Sequence, residues 1–281
     1  SKITLIKFSK MHGLGNDFIV INNTKLEYNL TPQQISFLAD RKFGIGCDQL
    51  LIVEPSTDDI SDFFYKIYNS DGSIAGQCGN GARCFTKYVI DNKLVNKDEV
   101  LMQTNNRIIN GKQIDADTFS IDTGTPIFEP AQIPLALAKS TAYSFNYQDE
   151  AINFYALSMG NPHAVIILQE ANKLSDDEYL ANRAVALQTS GLFPEGVNVN
   201  FVVINNDNNI SLRTYERGCG FTLACGSGAC ESAATTILLN QTNHATKVKM
   251  LGGELIIQWN QQDSLYMMGT ATHVFDGTIE V

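Results

Sequence analysis

Short apolar stretches, alternating or nearly continuous, recur along the chain between polar and turn-forming residues. In the first half they predict strands over residues 3–8, 18–22, 50–53 and 63–68. In the second half they predict strands over residues 154–158, 164–168, 198–204 and 210–215, and late strands over 247–250, 254–259 and 265–270 close the chain. Helical spacing appears at Phe85, Tyr88 and Val89, and again at Ala233, Ala234, Ile237 and Leu238. Thr31-Pro32-Gln33-Gln34 predicts a helix start with Thr as N-cap, Pro at the first helical position and Gln reaching back. Ser175-Asp176-Asp177-Glu178 predicts a second start of the same kind. The Thr- and Pro-rich residues 123–134 read as a linker.

The pattern occurs twice. Residues 78–82 spell Cys-Gly-Asn-Gly-Ala and residues 225–229 spell Cys-Gly-Ser-Gly-Ala, an offset of 225 − 78 = 147. Tyr68 and Tyr215 stand at the same offset. Gly15-Asn16 followed by Val20-Ile21 matches Gly160-Asn161 followed by Val165-Ile166, at an offset of 145. Matches in the same order at nearly the same offset favour a duplicated domain. The expectation is an α/β chain of α+β type with two similar domains meeting across a cleft. Residues 1–122 with 271–281 would form one domain and 123–270 the other.

Composition narrows the setting. At 281 residues the chain exceeds what one core usually absorbs, and 44% apolar with 18% charged residues fits a folded globule. A net charge of −10 without a run of Lys or Arg argues against nucleic acid or an anionic membrane as partner. Residues 1–8 carry no secretory apolar region, and no stretch approaches the roughly eighteen apolar residues of a membrane span. The expected compartment is the cytoplasm, where thiols stay reduced. A disulfide framework among Cys47, Cys78, Cys84, Cys219, Cys225 and Cys230 is therefore not expected. Their spacings lack paired C-x-x-C knuckles and only four His are present, so no metal site is expected either. Most of these cysteines read as small buried hydrophobes.

Cys78 and Cys225 differ because each opens a Gly-containing strand-to-helix turn. Glycines there let the backbone approach a ligand, and free N–H groups at a helix start bind anions such as a carboxylate. The positive end of the helix is expected to lower the thiol pKa. Two thiols on either side of one carbon could invert it: a thiolate removes the α-proton and a thiol returns a proton to the other face. A thiol pKa near 8.5 can be tuned to that work, while the anion cradle steadies the growing charge. No P-loop and no dinucleotide fingerprint is spelled by the Gly-rich runs, and nothing points to a lysine–pyridoxal site.

Longer segments resemble one family. Met11-His12-Gly13-Leu14-Gly15-Asn16-Asp17-Phe18, Asn69-Ser70-Asp71-Gly72-Ser73, residues 77–84 and Gly160-Asn161-Pro162-His163 are similar to diaminopimelate epimerases. So are Gly196-Val197-Asn198, Tyr215-Glu216-Arg217-Gly218 and residues 224–230. The resemblance implies two pseudo-symmetric domains, each a mixed sheet curled around a central helix, with the active site in the cleft between them. It implies a homodimer that interconverts LL- and meso-diaminopimelate without pyridoxal or any other cofactor, supplying lysine and peptidoglycan precursors.

Roles follow by resemblance. Cys78 and Cys225 match the acid–base thiols. Gly79, Asn80, Gly226 and Ser227 match the backbone donors to the reacting carboxylate. Asn16, Asn69, Asn161, Asn198 and Arg217 match residues that hold the distal amino-acid end, a task suited to amides and a guanidinium. Gln49 and Glu216 match further substrate contacts, and His163 and Glu216 match polar neighbours of the thiols. His12, His244 and His273, and Arg41, Arg83 and Arg107, read as structural or surface residues, and Asn22, Asn23, Asn206 and Asn208 as turn residues. The chain departs from the family at Phe221, where Glu is usual, and at Cys219, where Val or Ala is common. A proline or hydroxyproline racemase, an amino-acid-binding protein and a redox or metal protein stay open as alternatives.

Overall fold

A computed structural model describes residues 3–76 and 79–281. Cys78 lies outside the described residues. The chain divides into two compact units, Ser1–Asp122 with Met268–Val281, and Thr123–Met267.

The first unit holds β1 (Leu5–Gly13), β2 (Asn16–Asn22), α1 (Pro32–Ala39), β3 (Gln49–Pro55), β4 (Phe63–Asn69), α2 (Gly79–Asp91), β5 (Glu99–Gln103), β6 (Ile108–Gln113) and β7 (Thr118–Asp122). The second holds β8 (Tyr143–Tyr147), β9 (Glu150–Ser158), β10 (Pro162–Ile167), α3 (Asp177–Gln188), β11 (Asn198–Asn206), β12 (Asn209–Glu216), β13 (Gly220–Thr222), α4 (Gly226–Leu238), β14 (Ala245–Met250) and β15 (Gly253–Gln258). Then come β16 (Tyr266–Thr270) and β17 (Thr272–Glu280), the latter pairing antiparallel with β1 in the first unit.

Each unit follows one scheme. In the first, β2 runs parallel to β3 and β3 antiparallel to β4; in the second, β10 runs parallel to β11 and β11 antiparallel to β12. The near-continuous apolar runs of β2 and β3 arise because both sheet faces are covered. Side chains alternate across a strand, so Phe18, Val20, Leu51 and Val53 join the cluster around α2, while Ile19, Ile21, Leu50 and Ile52 join the cluster with Ile35 and Leu38 of α1. Helix α2 touches β1, β2, β3, β5, β6 and β7, and is buried on nearly every side from Asn80 to Val89. Helix α4 likewise touches β9, β10, β11, β12, β14 and β15. Each sheet therefore curls around one central helix. A helix enclosed this way can carry polar side chains only if the sheet supplies partners.

Local signals explain the ends. Thr31 caps α1 in the expected box: its hydroxyl accepts from Gln34 N–H at 3.2 Å, and Gln34 Oε1 accepts from Thr31 N–H at 2.9 Å. The start of α3 is one residue later than expected. Asp176, not Ser175, is the N-cap, accepting from Tyr179 N–H at 3.1 Å, because Ser175 ends a preceding 3-10 turn. Residues 123–134 are irregular apart from a bridge between Ile127 and Ser158 and a short turn at Pro130–Gln132. Strands β5, β6, β7, β8, β13 and the closing strand β17 are not among those the sequence pattern predicts. In β5 and β6 polar and apolar positions are too mixed for a clear period, β7 alternates strictly but over only five residues, and the two-residue hairpin joining β8 to β9 uses Gln148 and Asp149 at positive φ rather than Asn-Gly.

Candidate active site

Register places the candidate residues in two equivalent rows at strand ends. In the first unit Phe18 pairs with Gln49 across β2–β3, and Gln49 with Asn69 across β3–β4. In the second, His163 pairs with Asn198 across β10–β11, and the β11–β12 pairing of Val199 with Tyr215 puts Asn198 level with Glu216. The repeat thus equates Gln49 with Asn198 and Asn69 with Glu216. It also equates Phe18 with His163, at the offset 163 − 18 = 145.

The second row leads into α4. Cys225 is its N-cap, with extended backbone and a sulfur that accepts from Gly228 N–H at 3.3 Å. Its thiol points toward Glu216 Oε1 at 4.0 Å and lies 3.5 Å from Ser227 Oγ. Ser227 Oγ is in turn 3.1 Å from His163 Nε2. His163 is fully buried, and its Nδ1 lies 3.0 Å from the equally buried Glu231 Oε2. Asn200 donates from Nδ2 to Ala164 O at 3.1 Å and approaches His163 Nδ1 at 2.8 Å, while its Oδ1 accepts from the Thr214 hydroxyl at 2.8 Å. Asn198 Oδ1 accepts from Arg217 N–H at 2.9 Å, and its Nδ2 lies 3.3 Å from His163 Nε2. The structure therefore brings Cys225, Ser227, His163, Asn198 and Glu216 together. Asn161 stands half-buried in the bend before β10.

Glycines in the motif have different jobs. A Cβ on Gly228 would sit 2.5 Å from Asn200 Oδ1 and 2.7 Å from Thr214 Oγ1. In the first unit a Cβ on Gly81 would sit 2.6 Å from the Tyr65 hydroxyl oxygen. The second glycine of each copy is thus needed for helix-on-sheet packing. Gly226 is not crowded by the described residues, since a Cβ there would meet Met267 Sδ at an ordinary 3.4 Å and its methyl beyond. Gly196, at φ +85°, lies beneath the aliphatic part of Arg217, whose guanidinium has no carboxylate partner among the described residues.

In the first unit Gln49 Nε2 donates to Asn69 Oδ1 at 3.3 Å, and Asn69 Nδ2 donates to Ser73 Oγ at 3.1 Å. Gln49 Oε1 is buried without a partner among the described residues. Asn16 follows the Leu14-Gly15 turn, both at positive φ, and pairs with Gly13 at the head of β2. Gly79 and Asn80 open α2. Fully buried Arg83 donates to Gly79 O at 3.3 Å, to Asn80 Oδ1 at 2.6 Å and to Thr270 O at 3.1 Å, a structural role as expected. Phe221, at the departure from the family pattern, packs edge-on to Tyr215 and under the Arg213 guanidinium.

The expected lowering of the Cys225 pKa is overturned. Burial, and then the Glu216 carboxylate, push this thiol up to about 11, against the hydrogen bonds from Ser227 and Gly228. Desolvation outweighs the helix end because the sulfur is almost wholly enclosed. Burial likewise raises Glu231, from the ordinary 4.5 to about 7, opposed by His163 and the Met159 amide. The folded protein then holds a proton that the unfolded chain has lost, so Glu231 reduces stability progressively as pH rises through that interval. Glu231→Gln should therefore gain stability over wild type at pH 8 relative to pH 4, by on the order of 3 kcal/mol at most. Denaturant melts at the two pH values check this, and an equal difference at both would contradict it.

Sequence reasoning missed Asn200, Thr214 and Glu231. The first two looked like ordinary strand residues. Glu231 had a signal: it is the one charged residue of α4, whose other residues are mostly small and all uncharged. Among the described residues no group of three or more His, Cys, Asp or Glu could hold a metal ion, and no helix is long and apolar enough to cross a membrane.

The family model for diaminopimelate epimerase matches residues 8–129 and 155–274. A diaminopimelate epimerase of Aromatoleum aromaticum is 41% identical over 278 residues, covering 98% of this chain and 99% of that one. One from a Psychrobacter species is 42% identical over 279 residues, covering 97% and 94%. Among solved structures, methylitaconate-delta-isomerase superposes with a TM-score of 0.70 at 14% identity, covering 100% of this chain and 96% of that one. A hydroxyproline epimerase from Agrobacterium vitis gives 0.67 at 12% identity, covering 99% and 93%. At such identities the structural likeness concerns the fold.

Proposed function

The chain belongs to the diaminopimelate epimerase family, and from that premise we propose that it interconverts LL- and meso-diaminopimelate by proton transfer at one α-carbon, without a cofactor. The observation that carries the reading is Cys225, an N-capping thiol held among Glu216, Ser227 and His163 at the head of an enclosed helix. One thiolate removes the α-proton while the other cysteine's thiol returns a proton to the opposite face. Cys225 and Cys78 are the two groups, exchanging roles when the direction reverses.

The amides of Gly226 and Ser227, and of Gly79 and Asn80, would receive the reacting carboxylate. Each pair opens a helix and lies at its positive end. Negative charge that develops as the α-proton leaves is stabilised there. The distal zwitterion falls to Asn16, Asn69, Asn161, Asn198 and Arg217, with Gln49 and Glu216 as further contacts. Arg217 suits a carboxylate because its guanidinium lacks an acidic partner among the described residues, while its backbone is fixed by Asn198. Arg217→Met should raise KM about 10- to 100-fold with a smaller change in kcat, as loss of a charge-assisted pair implies. Steady-state kinetics with LL-diaminopimelate reads both constants, and an unchanged KM would remove Arg217 from the binding set.

We also infer a cytoplasmic enzyme acting in lysine and peptidoglycan precursor synthesis, and a homodimer. A reducing compartment suits chemistry that needs free thiols. Exposed Leu5, Val274 and Phe275 on β1 and β17 give a second copy apolar surface to cover. Chiral separation of products after incubation with LL-diaminopimelate tests the activity. Formation of the meso isomer supports it; turnover of proline instead would move the chain to the racemase reading.

A further inference from the structure

We propose that Glu231 is a positioning residue and the buried proton reservoir of Cys225, acting through His163 and Ser227, and that this imidazole–carboxyl pair is not repeated at the matching first-unit positions, Phe18 and Cys84. The proposal rests on the reading of Cys225 as an acid–base thiol. Its geometry is a continuous row of contacts within the second unit: Cys225 Sγ to Ser227 Oγ at 3.5 Å, Ser227 Oγ to His163 Nε2 at 3.1 Å, and His163 Nδ1 to Glu231 Oε2 at 3.0 Å.

The internal repeat supplies a control. At the offset of the two Cys-Gly-x-Gly-Ala copies, Glu231 corresponds to Cys84 (231 − 147 = 84) and Ser227 to Asn80 (227 − 147 = 80). Strand register equates His163 with Phe18. The first unit therefore has Phe18 and Cys84, both fully buried and both in the apolar cluster around α2, where the second has an imidazole and a carboxyl. Packing around a central helix does not require the polar pair. Fully burying a carboxyl and an imidazole costs free energy that an apolar pair avoids. Something other than packing accounts for their presence, and their contacts lead to the thiol.

Two protonation states satisfy the row. In the first, Glu231 is a carboxylate accepting from His163 Nδ1–H, His163 Nε2 accepts the Ser227 hydroxyl proton, and Ser227 Oγ accepts Cys225 S–H. In the second, each proton has moved one place. The thiol proton is on Ser227, the former Ser227 proton is on His163 Nε2, and the former Nδ1 proton is on Glu231. One S–H, one O–H and one N–H bond break; two O–H bonds and one N–H bond form. A single negative charge passes from Glu231 to Cys225, and no charge is created.

The surroundings allow both states. Asn200 Nδ2 is oriented by Ala164 O and directs its other hydrogen to His163 Nδ1, which favours the second state, where Nδ1 is an acceptor. Neither Glu231 oxygen is fully satisfied: the contacts are His163 Nδ1 and the Met159 amide, so the neutral acid is accessible. The ionisable groups linked to Glu231 are His163 on β10, Cys225 at the head of α4 and, beyond it, Glu216 at the end of β12. Asn200 on β11 and Thr214 on β12 are neutral. Burial keeps Cys225 a thiol when its proton must leave to solvent, and the row gives that proton an internal destination.

The test is the pH dependence of alkylation by iodoacetamide, resolved by peptide mass spectrometry so that Cys225 and Cys78 are read separately. In wild type the Cys225 rate should rise through about pH 7 as the row loses its shared proton and level off between about pH 8 and 9, because above that step its thiolate arises by internal transfer. In Glu231→Gln it should fall about tenfold or more at neutral pH and climb steadily with pH, while the Cys78 profile stays put. In the same variant kcat should fall about 10- to 100-fold with little change in KM. An unaltered Cys225 profile, or equal shifts at both cysteines, would overturn the proposal. If Glu231→Gln fails to fold, Ser227→Ala interrupts the row without touching the buried acid. It should abolish the plateau above about pH 8 in the same way, and a wild-type profile there would also overturn the proposal. No substrate enters the alkylation assay, so its outcome stands apart from whether diaminopimelate is turned over.

Discussion

Replacing Cys225 by Ala is expected to lower epimerisation of LL-diaminopimelate by at least about 10³-fold while the protein remains folded. The loss is large because, in the proposed reaction, one side chain serves as base in one direction and acid in the other, and no described neighbour is placed to replace it. Glu216 Oε1 lies 4.0 Å from the sulfur, and among the described residues His163 is linked to it through Ser227. The fold should tolerate the change. The cap bond from Gly228 N–H to sulfur is lost, at a typical cost of about 1 kcal/mol, but Ala fits an extended N-cap backbone. Initial rates beside a thermal melt check both halves of the statement. Turnover within tenfold of wild type would remove Cys225 from the reaction. Cys78→Ala should behave alike, on the strength of the repeat rather than of any described contact.

The second large effect separates the two glycines of the motif. Gly228→Ala should destabilise the protein by about 2–4 kcal/mol and disorder the thiol's surroundings, because the added methyl would meet Asn200 Oδ1 and Thr214 Oγ1 in a packed interior. Those atoms cannot simply retreat: Asn200 is tied to Ala164 O and lies against His163 Nδ1. Gly226→Ala should melt close to wild type, since among the described residues only Met267 lies within contact of the new methyl. Its defect should appear in substrate turnover, where a methyl at the helix start obstructs a carboxylate approaching the amides. Melting curves and kinetics of the two variants should therefore show opposite profiles. Equal loss of stability in both would mean that the first glycine is also a packing residue.

Much of this was legible in the sequence for physical reasons that can be named. The strands β2 and β3 announced themselves because burial on both faces makes their apolar runs nearly continuous. The capping box at Thr31 is local chemistry, and it formed as written. The repeated Cys-Gly-x-Gly-Ala located both helix starts. Strands β5 and β6 are not legible because pairing, not periodicity, defines them, and β7 alternates over only five residues. The pKa of Cys225 was misjudged in direction because the helix end is visible in sequence while the enclosure of the sulfur is tertiary. Glu231 became meaningful only when register set His163 in the row with Asn198 and Glu216, and the repeat showed the apolar pair that the other unit keeps in the same places.

The central claim is proton exchange at the α-carbon by the protein's own thiols. It is tested most directly by proton NMR of reduced protein, freed of metal and pyridoxal, with LL-diaminopimelate in heavy water. The account predicts that the meso isomer appears with deuterium at one α-carbon. Reduced, folded protein that leaves every α-proton of diaminopimelate in place would contradict it.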